Sequence, residues 1–389
     1  MIRVTLTNEI LERITSINEY RLKVGMITLP PALKSRFRKN STKKRAYSSN
    51  KIEGNPLTEE QASEVIESDP HRHFLQPEQE IRNYVLAIDY LEKQVKAKAQ
   101  FDLDLILQVQ ALVEKGASKE KIGIRKPMPP GILFAVYDSE SGKPEYIPPD
   151  ANEIRDLLEE LILYVRTTDD HPLLVAAVVH YQMVTIHPFE DGNGRTARLL
   201  SGFILDRYGY GFGGVGSLEE YFAYDLGEYY RSLQMDLPAL YYSGRCDPPH
   251  PEIWFHYFLR MVELYAKKVY ELCSSADKDE LSGGLSFLKP KEKELLSFLI
   301  KKKLYEFSPI SISLMTGITN RTVINRCAKL VQGGFLEPQI ANERIMTYRL
   351  SDLTKANERK LLRIAGHSFG ICLMPLPKIS MMNSAMKVQ

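Results

Sequence analysis

The sequence lacks the features that mark secreted, disulfide-built or membrane-spanning proteins. Its four cysteines, Cys246, Cys273, Cys327 and Cys372, are scattered and form no Cys-x-x-Cys or His-x-Cys pair. Disulfide frameworks and zinc sites need such spacings, so free, buried thiols in a reducing compartment are expected. The most apolar stretch, Leu173–Ile186, carries His180 and Gln182 and is too short to span a bilayer. Met1–Ile14 mixes charged and apolar residues at helical spacing, without the apolar run and cleavage site of a signal peptide. These absences predict a cytoplasmic protein with no membrane partner. A dominant charge sign is missing too. A net charge of +2 gives the whole chain no pull towards nucleic acid or anionic lipid, so any such preference must be local. Neither a Walker A sequence nor His-Glu-x-x-His occurs. Gly209–Gly214 does spell Gly-x-Gly-x-x-Gly, but it follows a helical segment with no βαβ pattern around it, so it reads as a glycine-rich helix exit.

What is present is ordinary in bulk, with 44% hydrophobic and 26% charged residues over 389 positions, enough for two or three domains. The fold class is mainly α. Residues 1–100 form an N-terminal helical region. It includes a basic, turn-prone stretch, Lys34–Arg45, read as solvated surface, and a helix from Thr58 to about Glu67 with a capping box. Apolar residues three and four apart predict helices at Glu78–Lys98 and Leu103–Lys115. The pattern then breaks into a short hairpin: Ile132–Tyr137, a turn at Ser139–Gly142, and Glu145–Ile147, closed by prolines. Helices resume at Asn152–Thr167, Leu173–Ile186, Arg195–Tyr208, Leu218–Gln234 and Ile253–Cys273, so residues 101–240 form a core and 241–284 a connector. Ser274–Gly284 is polar, ends in two glycines and reads as a linker. Residues 285–352 read as a small α+β winged helix: a helix at Glu292–Lys302, then Ser311–Thr316, a turn at Gly317, Thr319–Gln332, and strands at Phe335–Leu336 and Ile345–Leu350. No role is assigned to the tail, 353–389.

The chemistry concentrates in His187-Pro188-Phe189-Glu190-Asp191-Gly192-Asn193-Gly194-Arg195-Thr196-Ala197-Arg198. An apolar helix delivers this run, and Pro188 with the two glycines stops that helix from continuing. A new helix starts near Gly194, and its first N–H groups lack intrahelical partners. Gly192 and Gly194 allow a tight turn and close approach of a ligand, and free N–H groups at a helix start favour an anion. Asn193 can add an amide donor. Arg195 and Arg198, three apart on one face, suit a polyphosphate. Asp191 is a hard ligand for Mg²⁺, and His187 titrates near neutrality and can take a proton from a hydroxyl. Together they describe nucleotide transfer.

This run resembles the motif of the Fic family, HxFx(D/E)GNGRxxR, at every specified position, and the surrounding helices and hairpin of roughly 80–240 are similar to that fold, with the hairpin as a flap. The resemblance implies transfer of AMP from ATP to a Ser, Thr or Tyr hydroxyl of a protein target. It makes His187 the general base, Asp191 the metal ligand, Gly192, Asn193 and Gly194 the phosphate cradle, and Arg195 and Arg198 the holders of the β and γ phosphates. Relatives that transfer phosphate carry lysine where Gly194 stands. Ser49-Asn50-Lys51-Ile52-Glu53-Gly54 is similar to the family's inhibitory motif, (S/T)xxxE(G/N), with Glu53 expected to pair with Arg198. In some such relatives the same glutamate supports removal of AMP. Tyr229 and Tyr230 match a tyrosine pair placed near the nucleotide, although the Asn-Arg usual before it reads Asp225-Leu226 here. The flap suggests main-chain pairing with an extended target segment. A homodimer is compatible with this class.

The second half of the chain offers a different class of function. Leu285–Asp352 holds eleven Lys and Arg against six Asp and Glu. Asn320, Arg321, Thr322, Asn325, Arg326 and Lys329 suit a major groove. A DNA-binding regulator that uses the histidine loop only to sense nucleotide is therefore the alternative.

Overall fold

The computed structural model describes residues 1–362 except 4, 117–121, 133, 138–141, 143, 239–247, 342–343 and 360. Most of the expected hairpin turn, most of the tail, Cys246 and Cys372 lie outside the described residues. The chain divides into two compact units, one of Met1–Leu29 with Leu33–Asp277, the other of Pro30–Ala32 with Lys278–Gln389.

The first unit is helical. In chain order it contains α1 (Asn8–Gly25), α2 (Pro31–Ile52) from Leu33 on, α3 (Glu59–Glu67), α4 (Gln76–Lys96), α5 (Leu103–Val113), a hairpin of β1 (Val136–Tyr137) and β2 (Pro144–Tyr146), α6 (Ile154–Thr167), α7 (Pro172–Ile186), α8 (Asn193–Arg207), α9 (Glu219–Tyr224), α10 (Leu226–Gln234) and α11 (Pro251–Phe287) as far as Asp277. The centre is α7. Its Leu173–Met183 segment is buried throughout, so this helix has no polar face to turn outward and must be surrounded. It packs on α8, which also meets α4 and α5. His180 belongs to this core. Its ring lies 5.0–6.1 Å from those of Trp254, Phe222, Tyr229 and Phe258, and its Nε2 shares a 2.8 Å hydrogen bond with the Tyr229 hydroxyl. Burial holds it well below its ordinary pKa, hence neutral.

Three local expectations need correction. Lys34–Arg45 is no turn-prone stretch but the middle of α2. It holds no internal Gly or Pro, and its cations are matched by acids on neighbouring helices: Arg38 with Glu92, Lys43 with Glu67, Lys44 with Glu220, and Arg45 with Glu219 at 3.0 Å. Leu218–Gln234 is not one helix. Asp225 leaves helical geometry (φ −135°, ψ 91°) and caps α10 by accepting from the Glu228 N–H. Ser274–Gly284 is not an extended linker, because α11 continues to Phe287 despite Gly283 and Gly284. Two glycines inside a helix cost only about 2 kcal/mol together, which a long helix tolerates. By contrast, the Thr58–Gln61 capping box forms as read.

The second unit contains α12 (Pro290–Lys301), β3 (Glu306–Phe307), α13 (Pro309–Thr316), α14 (Asn320–Gln332), β4 (Leu336–Ala341), β5 (Arg344–Leu350) and α15 (Asp352–Ala356). Gly317 (φ 69°) makes the turn between α13 and α14, and Thr319 caps α14 by accepting from the Thr322 N–H. The antiparallel sheet has the order β3-β5-β4, so a short strand before the helix pair joins the two read from the sequence. Leu295, Leu299, Ile312, Val323, Cys327, Leu330 and Leu350 form its core. No helix among the described residues is long and apolar enough to cross a membrane.

Candidate active site

The site grows out of the end of α7. Its C-cap is His187, in the left-handed conformation at φ 49° and ψ 58°, with its N–H still bonded to the Met183 carbonyl at 3.2 Å. That conformation is unfavourable for a residue with a Cβ, so surrounding contacts must hold it. They are supplied by a segment to which the sequence reading gave no role. Arg125 Nε donates to the His187 carbonyl at 2.9 Å, its backbone N–H donates to the Pro188 carbonyl at 2.9 Å, and Ile124 bridges to Phe189. The Arg125 guanidinium also bonds the Pro149 carbonyl and sits 4.6 Å above the Phe134 ring.

The imidazole is oriented by its own helix. His187 Nδ1 lies 3.2 Å from the Val184 carbonyl, so Nδ1 carries the proton and Nε2 is left as the acceptor. Burial lowers its pKa to about 4, opposed by the Val184 contact and by the nearby Glu53 and Asp191, and reinforced by Arg125. The ring is therefore neutral at pH 7, the form that accepts a proton.

The loop after it is closed by Asn193. Its Oδ1 accepts from the Phe189 N–H at 3.0 Å and its Nδ2 donates to the Phe189 carbonyl at 2.9 Å. The Asn193 amide is thus engaged within the loop, and Phe189 is fully buried beneath it. Gly192 takes φ 76°, and its N–H bonds Asp191 Oδ1 at 2.7 Å. Gly194 lies in the first turn of α8. A Cβ there would run into the Glu53 carboxylate, so that carboxylate rests on the backbone where a helix start favours an anion.

Both motif arginines are buried and both meet a glutamate. Arg198 donates from Nε to Ser49 Oγ at 2.8 Å, and from Nη2 to the Ser49 carbonyl at 2.9 Å and Glu53 Oε1 at 2.5 Å. Glu53 stands one residue beyond the end of α2, on a turn completed by Gly54 at φ 80°. Arg195 donates from Nη2 to Glu114 Oε1 at 2.9 Å and reaches Asp191 Oδ1 at 3.4 Å. Glu114 follows α5 directly and was not among the residues singled out from the sequence. The structure thus brings His187, Asp191, Gly192, Asn193, Gly194, Arg195, Arg198, Ser49, Glu53 and Gly54 together. The tyrosines diverge. Tyr229 is a core residue against His180, whereas Tyr230 is half exposed and its hydroxyl reaches the Ile52 carbonyl at 3.4 Å, beside Glu53.

No group of three or more His, Cys, Asp or Glu among the described residues could hold a metal ion. Asp191, at 42% exposure, fits a Mg²⁺ that arrives on a polyphosphate and keeps water in most of its positions.

A family model described as the Fic/DOC family matches residues 100–205. The chain is 29% identical over 203 residues to the protein adenylyltransferase Fic of Drosophila grimshawi, covering 51% of this chain and 40% of that one. With the protein of the same name from Nematostella vectensis it shares 29% over 210 residues, covering 51% and 45%. The chain thus spans less than half the length of these curated relatives. Among solved structures, a Fic family protein from Desulfovibrio desulfuricans G20 superposes with a TM-score of 0.57 at 20% identity, covering 90% of this chain and 98% of that one. Fic-1 from C. elegans gives 0.53 at 23% identity, covering 69% and 73%. The fold likeness, the complete motif and the family match coincide on one stretch of chain, residues 100–205, which is similar to the Fic/DOC family.

Proposed function

We propose that this protein transfers AMP from Mg-bound ATP to a Ser, Thr or Tyr hydroxyl of a protein target. The observation that carries this reading is the tautomer of His187. With Nδ1 held by the Val184 carbonyl, Nε2 is a free acceptor beside the glycine-rich start of α8. In the proposed reaction Nε2 takes the target hydroxyl's proton as its oxygen bonds to the α phosphorus. The bond from that phosphorus to the oxygen bridging the β phosphate breaks, and pyrophosphate leaves. Gly194 would offer its backbone N–H to the phosphates, Gly192 gives the turn that places it, and Asp191 would hold the Mg²⁺, which supplies charge neutralisation. The curated relatives bear the name of this activity, which supports the same reading.

The resting state is proposed to be self-inhibited. Glu53 occupies the Arg198 guanidinium and rests on Gly194, the two features a γ phosphate would use. Breaking such a buried pair costs about 3–5 kcal/mol, and about 3 kcal/mol suppresses the productive state roughly 100-fold.

The test is the intact mass of the full chain after incubation with Mg²⁺ and ATP, as wild type, Glu53→Gly, and Glu53→Gly with His187→Ala. AMP-sized adducts on Glu53→Gly, fewer on wild type and none on the double variant, are expected. A phosphate-sized adduct would reject AMP transfer.

A second reading draws on α14. We read residues 285–352 as a winged helix, and Asn320, Arg321, Asn325 and Lys329 are exposed on α14. These residue types suit a DNA groove. Duplex binding that weakens steeply with salt, without any Mg-ATP-dependent adduct, would favour the nucleotide-sensing regulator.

A further inference from the structure

Glu53 stands at a helix end of defined shape. It follows Ile52, the last residue of α2. The Gly54 N–H bonds the Lys51 carbonyl and the Asn55 N–H bonds the Asn50 carbonyl, both at 3.0 Å, with Gly54 at φ 80° between them. This is the Schellman arrangement, with Glu53 as the C-cap. Both bonds lie within the helix end, so by themselves they tie Glu53 to α2 alone.

The tie to a second helix comes from the side chain of Asn55. A Schellman motif often has an apolar residue at this place, packed back on the last turn. Here the place holds an amide, and its Nδ2 reaches α4. It donates to the Glu80 carboxylate at 2.7 Å and to the Pro77 carbonyl at 3.0 Å. The carboxylate acceptor makes the shorter bond charge-assisted and hence the stronger. The other Glu80 oxygen accepts from Gln76 Nε2 at 3.4 Å. Asn55 Oδ1 accepts from the Leu57 N–H at 3.2 Å, across Pro56, which directs the chain out of the turn. One amide thus joins the end of α2 to the first two turns of α4.

Only two residues separate Glu53 from this clamp, about 7 Å of chain at full extension. Confining the Glu53 backbone on both sides keeps its carboxylate at high effective concentration beside the Arg198 guanidinium, and a loosened backbone dilutes it. Resting on the reading of Glu53 as the inhibitory stop, we infer that Asn55 is a positioning residue for it: by clamping the turn to Glu80 and Pro77 of α4, it holds the Glu53 carboxylate on Arg198. Asn55 acts through Glu53 and has no part in the proposed phosphate or proton contacts.

The experiment reads the clamp and the stop separately, on the full chain. Asn55→Asp keeps an acceptor for Leu57, loses both donors and sets a second carboxylate against Glu80. Adding Glu80→Gln replaces that repulsion with an amide donor. Amide hydrogen exchange, followed by mass spectrometry, is expected to be about 10-fold faster across residues 50–54 in Asn55→Asp, unchanged across 38–46, and restored towards wild type in the double variant. Adduct formation with Mg²⁺ and ATP, followed by intact mass, is expected to rise about 10-fold in Asn55→Asp and to fall back towards wild type on adding Glu80→Gln. Beside Glu53→Gly, Asn55→Asp is expected to change the rate less than about twofold, since no stop remains to be held. Unchanged exchange across 50–54 overturns the inference, as does faster exchange through the whole of α2. An effect of Asn55→Asp on the rate that is equal with and without Glu53 overturns it too, because a residue acting through Glu53 has none once Glu53 is gone. Absence of adduct on every chain, Glu53→Gly included, rejects AMP transfer instead and leaves the exchange result to decide the clamp.

Discussion

Arg195 and Arg198 stand three residues apart on one helix, are both buried, and are both met by a glutamate from elsewhere in the chain, yet the two pairs differ in kind. Glu114 is 6% exposed, fixed by Asn83, and shares its arginine with Asp191. Glu53 is 33% exposed, sits on a turn past the end of α2, and presses on Gly194. Removing Glu114 would take away the nearer of the two carboxylates that meet the buried Arg195. Removing Glu53 leaves Arg198 with both its Ser49 bonds. On the proposed reading, neighbouring charges of the same type serve as a permanent brace and as a removable stop. What separates them is the exposure of the partner, not the arginine.

The sharpest way to break this comparison is to delete the stop. Glu53→Gly is expected to speed adduct formation roughly 100-fold, read as initial rate by intact mass; no change would mean that the Arg198 pair restrains nothing. Gly192→Ala attacks the brace. It must adopt a positive φ and meet the Glu114 carboxylate, so unfolding in urea is expected to move by about 2–3 kcal/mol. Gly194→Ala should cost about 1–2 kcal/mol in the wild-type background and clearly less beside Glu53→Gly, since the clash is with Glu53 itself. Additive losses would place the obstacle elsewhere.

The pH response sharpens the picture on the His187 side. Its folded pKa, about 4, lies below its ordinary value of 6.5. The unfolded chain binds the extra proton first, so this group's contribution to stability is present above about 6.5 and is lost as pH falls towards about 4. Over the same range the folded base stays neutral, so the rate of Glu53→Gly is expected to be level from about pH 8 to about pH 5. Arg125→Gln removes a cation that holds this pKa down and should shift the acid limb upward, the smallest of these effects.

The dozen residues from His187 to Arg198 were legible because the chemistry is contiguous. One apolar helix, two glycines and a new helix carry it, and local chemistry dictates each step. Ser49 and Glu53 were legible only through a motif, since nothing nearby in sequence says that α2 meets α8. Glu114 and Arg125 were not legible. Each acts on residues more than sixty positions away, and a lone acid after an amphipathic helix or a lone arginine before a proline run carries no signal of its partner. The misread elements share a physical reason. Lys34–Arg45 reads from the sequence as turn-prone solvated surface, and the counter-charges that meet its cations come from α3, α4 and α9, distant in sequence. Asp225 broke a helical pattern through a side-chain cap that apolar spacing does not register.

The 22 residues of α2 make a rod about 33 Å long. Arg45 fastens it through a buried bond to Glu219, and Ser49 and Asn50 are fully buried, but Glu53 lies beyond all of these anchors. Lifting that carboxylate requires no movement of the rod. It requires that the last few residues lose their hydrogen bonds to Asn50 and Lys51 and that the pair with Arg198 opens. On the proposed reading, a local opening at this helix end, without melting of the domain, would be enough to release the stop.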